Sequence, residues 1–275
     1  MPPHVRCLTS PRIPPQIGSL YPVWRRAISP LGGGFGRNGR LGAIIPANNS
    51  VLEPEWWSKL PPGFALYSTR ILARGNLTPE AVRAMEENVD RAVDELAATG
   101  VDVIAYCDMV TTFIMEPGWN EAKVAEIEKR SQTAAVSAWT ALRDALTALG
   151  VTRFALGTPY PAPIHALAPP FFAARGYQLA SDRTLDILKM TDVPKVTSRE
   201  IRDFVATLDR KDAEAIVLLA TDLPCFGVLA ELEREFGLPV LTSNQTILWS
   251  AMRAVNKSNK TDFVSIPDLG KLFHV

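Results

Sequence analysis

Two reactive side chains stand side by side where an apolar run ends: VDVIAY is followed at once by Cys107 and Asp108. A thiolate adds to an activated double bond, whereas a carboxylate is a poor nucleophile there but an adequate general base. Side chains alternate faces along an extended chain, so a one-residue shift points the group to the opposite side. A second group follows the run AEAIVLLA, where Thr221, Asp222 and Cys225 lie close together, and polar residues at Asn49, Tyr160, Ser243 and Asn244 stand in other loops. Each has a purely structural alternative. The thiols suit apolar packing, Asp108 suits a turn at a strand end, Asn49 a turn or cap, Tyr160 a half-buried aromatic beside a proline, and Ser243 a helix cap.

The elements that must position these groups are legible as alternating strands and helices. LGAII stops at Pro46 and the polar loop ANNS, as a buried parallel strand does, and FALYSTRI is a second strand. Thr78 and Pro79 open a helix at N-cap and N1, apolar positions recur at Val82, Met85, Val89, Val93 and Leu96, and Gly100 closes it. The strand VDVIAY follows, then a helix over residues 121–149, broken near Ser131 and stopped by Gly150. The order then repeats. VTRFALGT is a strand, residues 164–174 a helix bent by Pro169 and Pro170, and residues 177–180 a strand. Thr197 and Glu200 form a capping box for REIRDFVATL, AEAIVLLA is a buried strand, VLAELEREF a helix ended by Gly237, and LPVLTS a strand before SNQTILWSAMRAV, a helix with Ser243 at its cap.

This alternation predicts an α/β fold of two Rossmann-like halves with parallel sheets, and ligands of such sheets sit beyond the carboxyl ends of the strands. Those ends are residues 46–50, 107–112, 158–161, 220–225 and 242–245, all expected on one cleft between the halves. The division is an irregular arm over residues 1–38, a first half over 39–150 and a second over 151–242. A C-terminal helix and tail, 243–275, is expected to pack back on the first half. The arm mixes proline, arginine and a glycine run without a packing period, so it is expected to be dispensable for stability.

Composition narrows the function classes. Lysine plus arginine equals aspartate plus glutamate at 29 each, leaving no basic excess for nucleic acid. No apolar run spans a bilayer and no signal-peptide pattern follows the N-terminus, so neither a membrane nor export is expected and the reading is cytoplasmic. Three cysteines, odd in number and far apart, fit reduced thiols, and three histidines without ligand spacing argue against a metal site. GxGxxG, GxxxxGK[ST] and HExxH are absent, and the glycine run at Gly32 follows no strand. No metal or organic cofactor is expected. The helical face of SAWTALRDALTAL fits either the core or a contact between copies in a homo-oligomer.

The segments IIPANNSVLEPE, VDVIAY, TPYP and LAELEREFGLPVLTSNQTILW together resemble the maleate cis-trans isomerases, within the wider Asp/Glu racemase and arylmalonate decarboxylase superfamily. The resemblance spans residues 41–255. It implies a pseudo-twofold enzyme that binds a small carboxylate between its halves and passes through an enediolate. By position, Asn49 matches the family's substrate-binding asparagine and Tyr160 its carboxylate-binding tyrosine. An amide and a phenol donate hydrogen bonds to a carboxylate oxygen that gains charge as an enediolate forms.

The departure from the family concerns its two cysteines. Ungapped alignment of VDVIAY puts Asp108 at the first cysteine position, with Cys107 one residue early; the second falls on Ala220 or Thr221, with Cys225 four or five residues beyond. Either the loops rearrange so that Cys107 and Cys225 face each other, or the chemistry moves to Asp108 with Thr221 or Asp222 opposite. Asp222, Ser243 and Asn244 join Asn49 and Tyr160 as expected substrate contacts, the last two because a helix N-terminus attracts a carboxylate. The leading expectation is an isomerase or racemase-like enzyme acting on a small mono- or dicarboxylate without a cofactor. The rivals are a lyase, either an arylmalonate-type decarboxylase or a hydratase using Asp108, and a non-catalytic carboxylate-binding protein.

Overall fold

The computed structural model describes residues 34–73 and 75–275; residues 1–33 of the expected arm lie outside the described residues. The first half runs β1 (Gly39–Pro46), α1 (Leu52–Lys59), β2 (Phe64–Ile71), α2 (Pro79–Glu86), α3 (Val89–Thr99), β3 (Val103–Tyr106), α4 (Thr111–Ile114), α5 (Trp119–Ser131), β4 (Ala134–Ser137) and α6 (Ala138–Ala148). The second runs β5 (Arg153–Thr158), α7 (Ala162–His165), α8 (Ala168–Ala173), β6 (Gln178–Thr184), α9 (Ser198–Ala206), β7 (Ala215–Leu218), α10 (Leu229–Phe236), β8 (Val240–Thr242) and α11 (Ser243–Asn259).

Both sheets are four-stranded and parallel, ordered β2-β1-β3-β4 and β6-β5-β7-β8, which is one topology built twice. The inner strands are apolar because both faces are covered, whereas the edge strands β2 and β6 are part-exposed. β3 and β7 are buried at every position, so they read as unbroken hydrophobic runs rather than as alternation. One continuous core joins the two sheets. In it the Trp139 ring of α6 meets Phe171 edge-on at 4.8 Å and Phe172 at 6.0 Å, both from α8. α11 packs against α6 and against β1, β3 and β4.

Local signals set most boundaries. The Thr78 side chain accepts from Ala81 N with Pro79 at N1, and Thr197 and Glu200 form the reciprocal capping box. Gly100 and Gly237 end α3 and α10 at φ 71°, in the left-handed region that glycine enters freely.

Four expectations need correction. Residues 164–174 are not one bent or shortened helix but parts of two short ones, α7 and α8, which part at Ala166 and Leu167, before the prolines Pro169 and Pro170 in the first turn of α8. Residues 121–149 are not one broken helix, because β4 lies between α5 and α6 and pairs with β3. α2 and α3 are separate helices, parted at Glu87 and Asn88. The cap of α11 is Thr242, which forms a capping box with Gln245, and Ser243 is already inside the helix.

Candidate active site

Each functional side chain is aimed by the end of a strand. After β1, Asn49 Oδ1 accepts from Val51 N at 2.9 Å and Leu52 N at 3.1 Å, fixing the entry to α1. Its Nδ2 donates across to Thr221 Oγ1 in the other half at 3.1 Å. The turn role and a bridging role therefore coexist in one amide, with its oxygen occupied and one N–H still available. After β3 the alternation of the chain separates the two reactive neighbours. Cys107 is wholly buried in the core, its Sγ donating to Ala105 O at 3.4 Å, while Asp108 lines a cavity between the halves. Asp108 Oδ1 accepts from Thr111 N at 2.8 Å at the start of α4. Its Oδ2 takes no hydrogen bond from the described residues.

From the second half, Tyr160 follows β5, and Thr221 and Asp222 follow β7; all three line the same cavity, whose volume is about 40 Å³. The Tyr160 ring lies edge-on to Phe113 at 6.3 Å. Its hydroxyl has no hydrogen-bond partner among the described residues. The walls are apolar: Leu77, Val82 and Met85 come from the β2–α2 segment and α2, and Ile187, Met190 and Val193 from the segment between β6 and α9. Sequence reasoning missed this wall: its two stretches follow β2 and β6, whose carboxyl ends were not among the five expected on the cleft, and apolar side chains far apart in the chain carry no signal that they meet.

Ser243, Asn244 and Cys225 do not line the cavity. Ser243 and Asn244 brace the loop that does. Ser243 Oγ accepts from Ala220 N at 3.0 Å, and Asn244 Nδ2 donates to Thr221 O at 2.9 Å. Asn244 Nδ2 also donates to Glu55 Oε2 at 2.7 Å, and Glu55 Oε1 accepts from Phe226 N at 2.8 Å. Glu55, on α1 of the first half, therefore clamps a loop of the second. It stands in the motif IIPANNSVLEPE, but nothing in its spacing marked it as a bridge between the halves. Ala220 has φ 145°, a left-handed value that costs a residue with a Cβ on the order of 1–3 kcal/mol and is held only where the surroundings impose it.

Electrostatics follow from burial. Desolvation lifts Asp108 to about 6, against hydrogen bonds from Thr111 and the Val110 backbone. Desolvation lifts Asp222 to about 7, and the charge of Asp108 adds to the rise. Tyr160 is pushed well above the usual phenol range by burial and then by the charges of Asp108 and Asp222, so it keeps its proton and can donate it in a hydrogen bond. Burial also pushes the Cys107 and Cys225 thiols up, with the charge of Asp108 adding to the first and that of Glu55 to the second. A thiol that stays protonated is a weak nucleophile.

The fold corresponds to a known architecture. The family model for arylmalonate decarboxylase matches residues 41–265. The chain belongs to the arylmalonate decarboxylase family. Its relatives include the maleate isomerase of Nocardia farcinica, 29% identical over 243 residues that cover 85% of this chain and 94% of that protein. They also include the arylmalonate decarboxylase of Bordetella bronchiseptica, 26% identical over 235 residues, 85% of this chain and 95% of that one. Among solved structures, a cysteine-to-serine mutant of the Nocardia farcinica maleate cis-trans isomerase superposes with a TM-score of 0.79 at 27% identity, covering 86% of this chain and 98% of that one. That structure holds a covalently bound succinylcysteine intermediate. In the present chain neither Cys107 nor Cys225 lines the cavity; Asp108, Thr221 and Asp222 do. Among the described residues no helix is long and apolar enough to cross a membrane, and no three His, Cys, Asp or Glu residues are grouped to hold a metal ion.

Proposed function

We propose that this protein is an isomerase or racemase-like enzyme that moves a proton at the carbon next to a carboxylate, through an enediolate, on a small carboxylic acid. One observation carries the reading: Asp108, with a free carboxylate oxygen, shares a cavity with the donors Asn49 and Tyr160 at the carboxyl ends of both sheets. Asp108 takes the proton. The spare N–H of Asn49 and the O–H of Tyr160 stabilise the carboxylate oxygen on which charge develops. A pKa of about 6 leaves Asp108 mostly ionised near neutrality yet more basic than an ordinary aspartate, as general-base catalysis favours. Because both thiols are turned away and held protonated, covalent addition to a double bond is not the reading favoured for this chain.

The apolar wall favours a second reading, decarboxylation of a malonate with a bulky apolar substituent, in which desolvation destabilises the leaving carboxylate. One experiment separates the two. The protein is incubated in D2O with maleate, 2-phenylmalonate, aspartate, glutamate and 2-phenylpropanoate, followed by proton NMR. Exchange of the α-hydrogen without loss of carbon dioxide supports the first reading, and carbon dioxide release from phenylmalonate the second. Asp108→Asn should lower either rate by roughly a hundredfold; unchanged turnover in that variant would overturn the role of Asp108.

A further inference from the structure

We propose that Asp222 is a second catalytic residue, facing Asp108 across the cavity, so that the two carboxyls act on opposite faces of one α-carbon. The assignment rests on the proton-transfer reading above and adds to it the group that completes an inversion of configuration.

Three observations point to Asp222. The first is position. Asp108 and Asp222 come from the loops after β3 and β7, the equivalent strands of the two sheets, and both line the one cavity. The second is the lack of a partner elsewhere: beyond a hydrogen bond to its own backbone, no hydrogen bond or ion pair joins the Asp222 side chain to another described residue. The other carboxyls beside the site are engaged, Glu55 by Phe226 and Asn244 and Glu86 by the Tyr106 hydroxyl. An acid that lines a cavity with no partner from another residue is available to a ligand there. The third is the effort spent on the loop. The high φ of Ala220, the Ser243 bond to its N–H, and the Asn49 and Asn244 bonds to Thr221 fix the two residues before Asp222 from two sides, the start of α11 and the loop after β1.

Elimination agrees. Of the second half's candidates, Thr221 has its hydroxyl tied to Asn49 and is too weak an acid, and Cys225 and Ser243 do not reach the cavity. Tyr160 donates a hydrogen bond but holds its proton too firmly to exchange it with carbon.

The step balances within the pair. Asp108 as carboxylate takes the α-hydrogen as a proton, and the electrons of the broken C–H bond move into the bond to the carboxylate carbon, giving the enediolate. Protonated Asp222 delivers its proton to the opposite face, forming the new C–H bond and leaving Asp222 ionised. The other enantiomer runs the same sequence in reverse. The mutual charge effect of the pair favours the state with one proton between them, which either direction requires.

The probe is each enantiomer of 2-phenylpropanoate, which has one carboxylate for Asn49 and Tyr160, an apolar ring for the wall and a hydrogen on a chiral carbon. Each is incubated separately in D2O with wild type, Asp222→Asn and Asp108→Asn, and α-deuteration and chirality are read independently. In Asp222→Asn, deuterium should still enter one enantiomer within tenfold of the wild-type rate, while conversion to the other falls at least a hundredfold; Asp108→Asn should show the mirror pattern. Asp222→Ser should behave as Asp222→Asn does, with far-UV circular dichroism confirming the fold of both. Wild-type racemisation that survives in both Asp222 variants overturns the assignment and leaves the reading for Asp108 intact. Loss of exchange from both enantiomers in a folded Asp222 variant also overturns it. A wild type that exchanges neither enantiomer overturns the assignment together with the reading beneath it, as the carbon dioxide and exchange panel above would show independently.

Discussion

Replacing Glu55 by glutamine should destabilise the protein at pH 5 and cease to do so by pH 8. Burial lifts the carboxyl from 4.5 to about 7, although Phe226, Asn244 and the Cys225 backbone hydrogen-bond to it and pull the other way. A raised acid pKa means that the stabilising contribution is fully present below the unfolded value near 4.5 and is lost as pH rises through about 7. Between pH 5 and 8 the wild type should lose about 2–3 kcal/mol from this group alone, an upper figure because water reaches part of the side chain. Glutamine keeps the size but has one acceptor oxygen for two donors, Phe226 N and Asn244 Nδ2, at a loss of about 1–2 kcal/mol. The variant should therefore be less stable than wild type at pH 5 by about that loss, and equal or more stable at pH 8. Urea unfolding followed by circular dichroism at both values measures it. A difference between the two proteins that stays constant across pH would refute the argument that Glu55 is an acid held neutral by burial.

Three shorter expectations follow from the same geometry. Cys107→Ala should leave turnover within a few-fold of wild type and iodoacetamide should inactivate slowly or not at all, because the thiol is buried in the core and held protonated; rapid inactivation against which substrate protects would return the chemistry to the cysteine. The profile of kcat/KM should be bell-shaped, rising through about 6 as Asp108 ionises and falling through about 7 as Asp222 loses its proton, both being apparent values of the pair; a plateau from pH 6 to 9 would contradict this. Gly157→Ala should destabilise by about 1–3 kcal/mol in urea unfolding, because a Cβ there would stand 2.7 Å from Phe204 Cε1 and 2.9 Å from Leu218 Cδ2; unchanged stability would mean that β5 and α9 yield freely.

Features specified by neighbouring residues were legible in the sequence. The Thr78–Pro79 start, the Thr197–Glu200 box and the glycines that end α3 and α10 depend on hydrogen bonds within a turn, so the residues that write them also read them. Apolar runs placed β1, β3, β5, β7 and β8, since a strand covered on both faces shows in composition, while the part-exposed β2 and β6 were placed without that signal. β4 escaped because four residues within an alanine-rich stretch, AAVSAWTALRDAL, carry helix propensity, and only pairing with β3 makes them extended. The cap of α11 slipped by one residue for a related reason: TS offers two capping hydroxyls, and the position of β8 selects Thr242.

The sequence by itself determined that five strand-end loops carry the polar groups and that Cys107 and Asp108 must face opposite ways, because alternation is a property of the extended chain. Which of the two faces the cavity was decided only by the packing of β3 between β1 and β4, which turns Cys107 into the core. The tertiary structure likewise decided that Asn244 and Ser243 brace the β7 loop from behind, and that Glu55 reaches it from the other half. It also brought α2 and the segment after β6 together as one apolar wall. The Glu55 and wall pairings join residues more than a hundred positions apart, and the Ser243 and Asn244 bonds join neighbouring loops of the second sheet 23 positions apart. No local pattern encodes them, because the energy that selects them is the burial of surface shared by both halves.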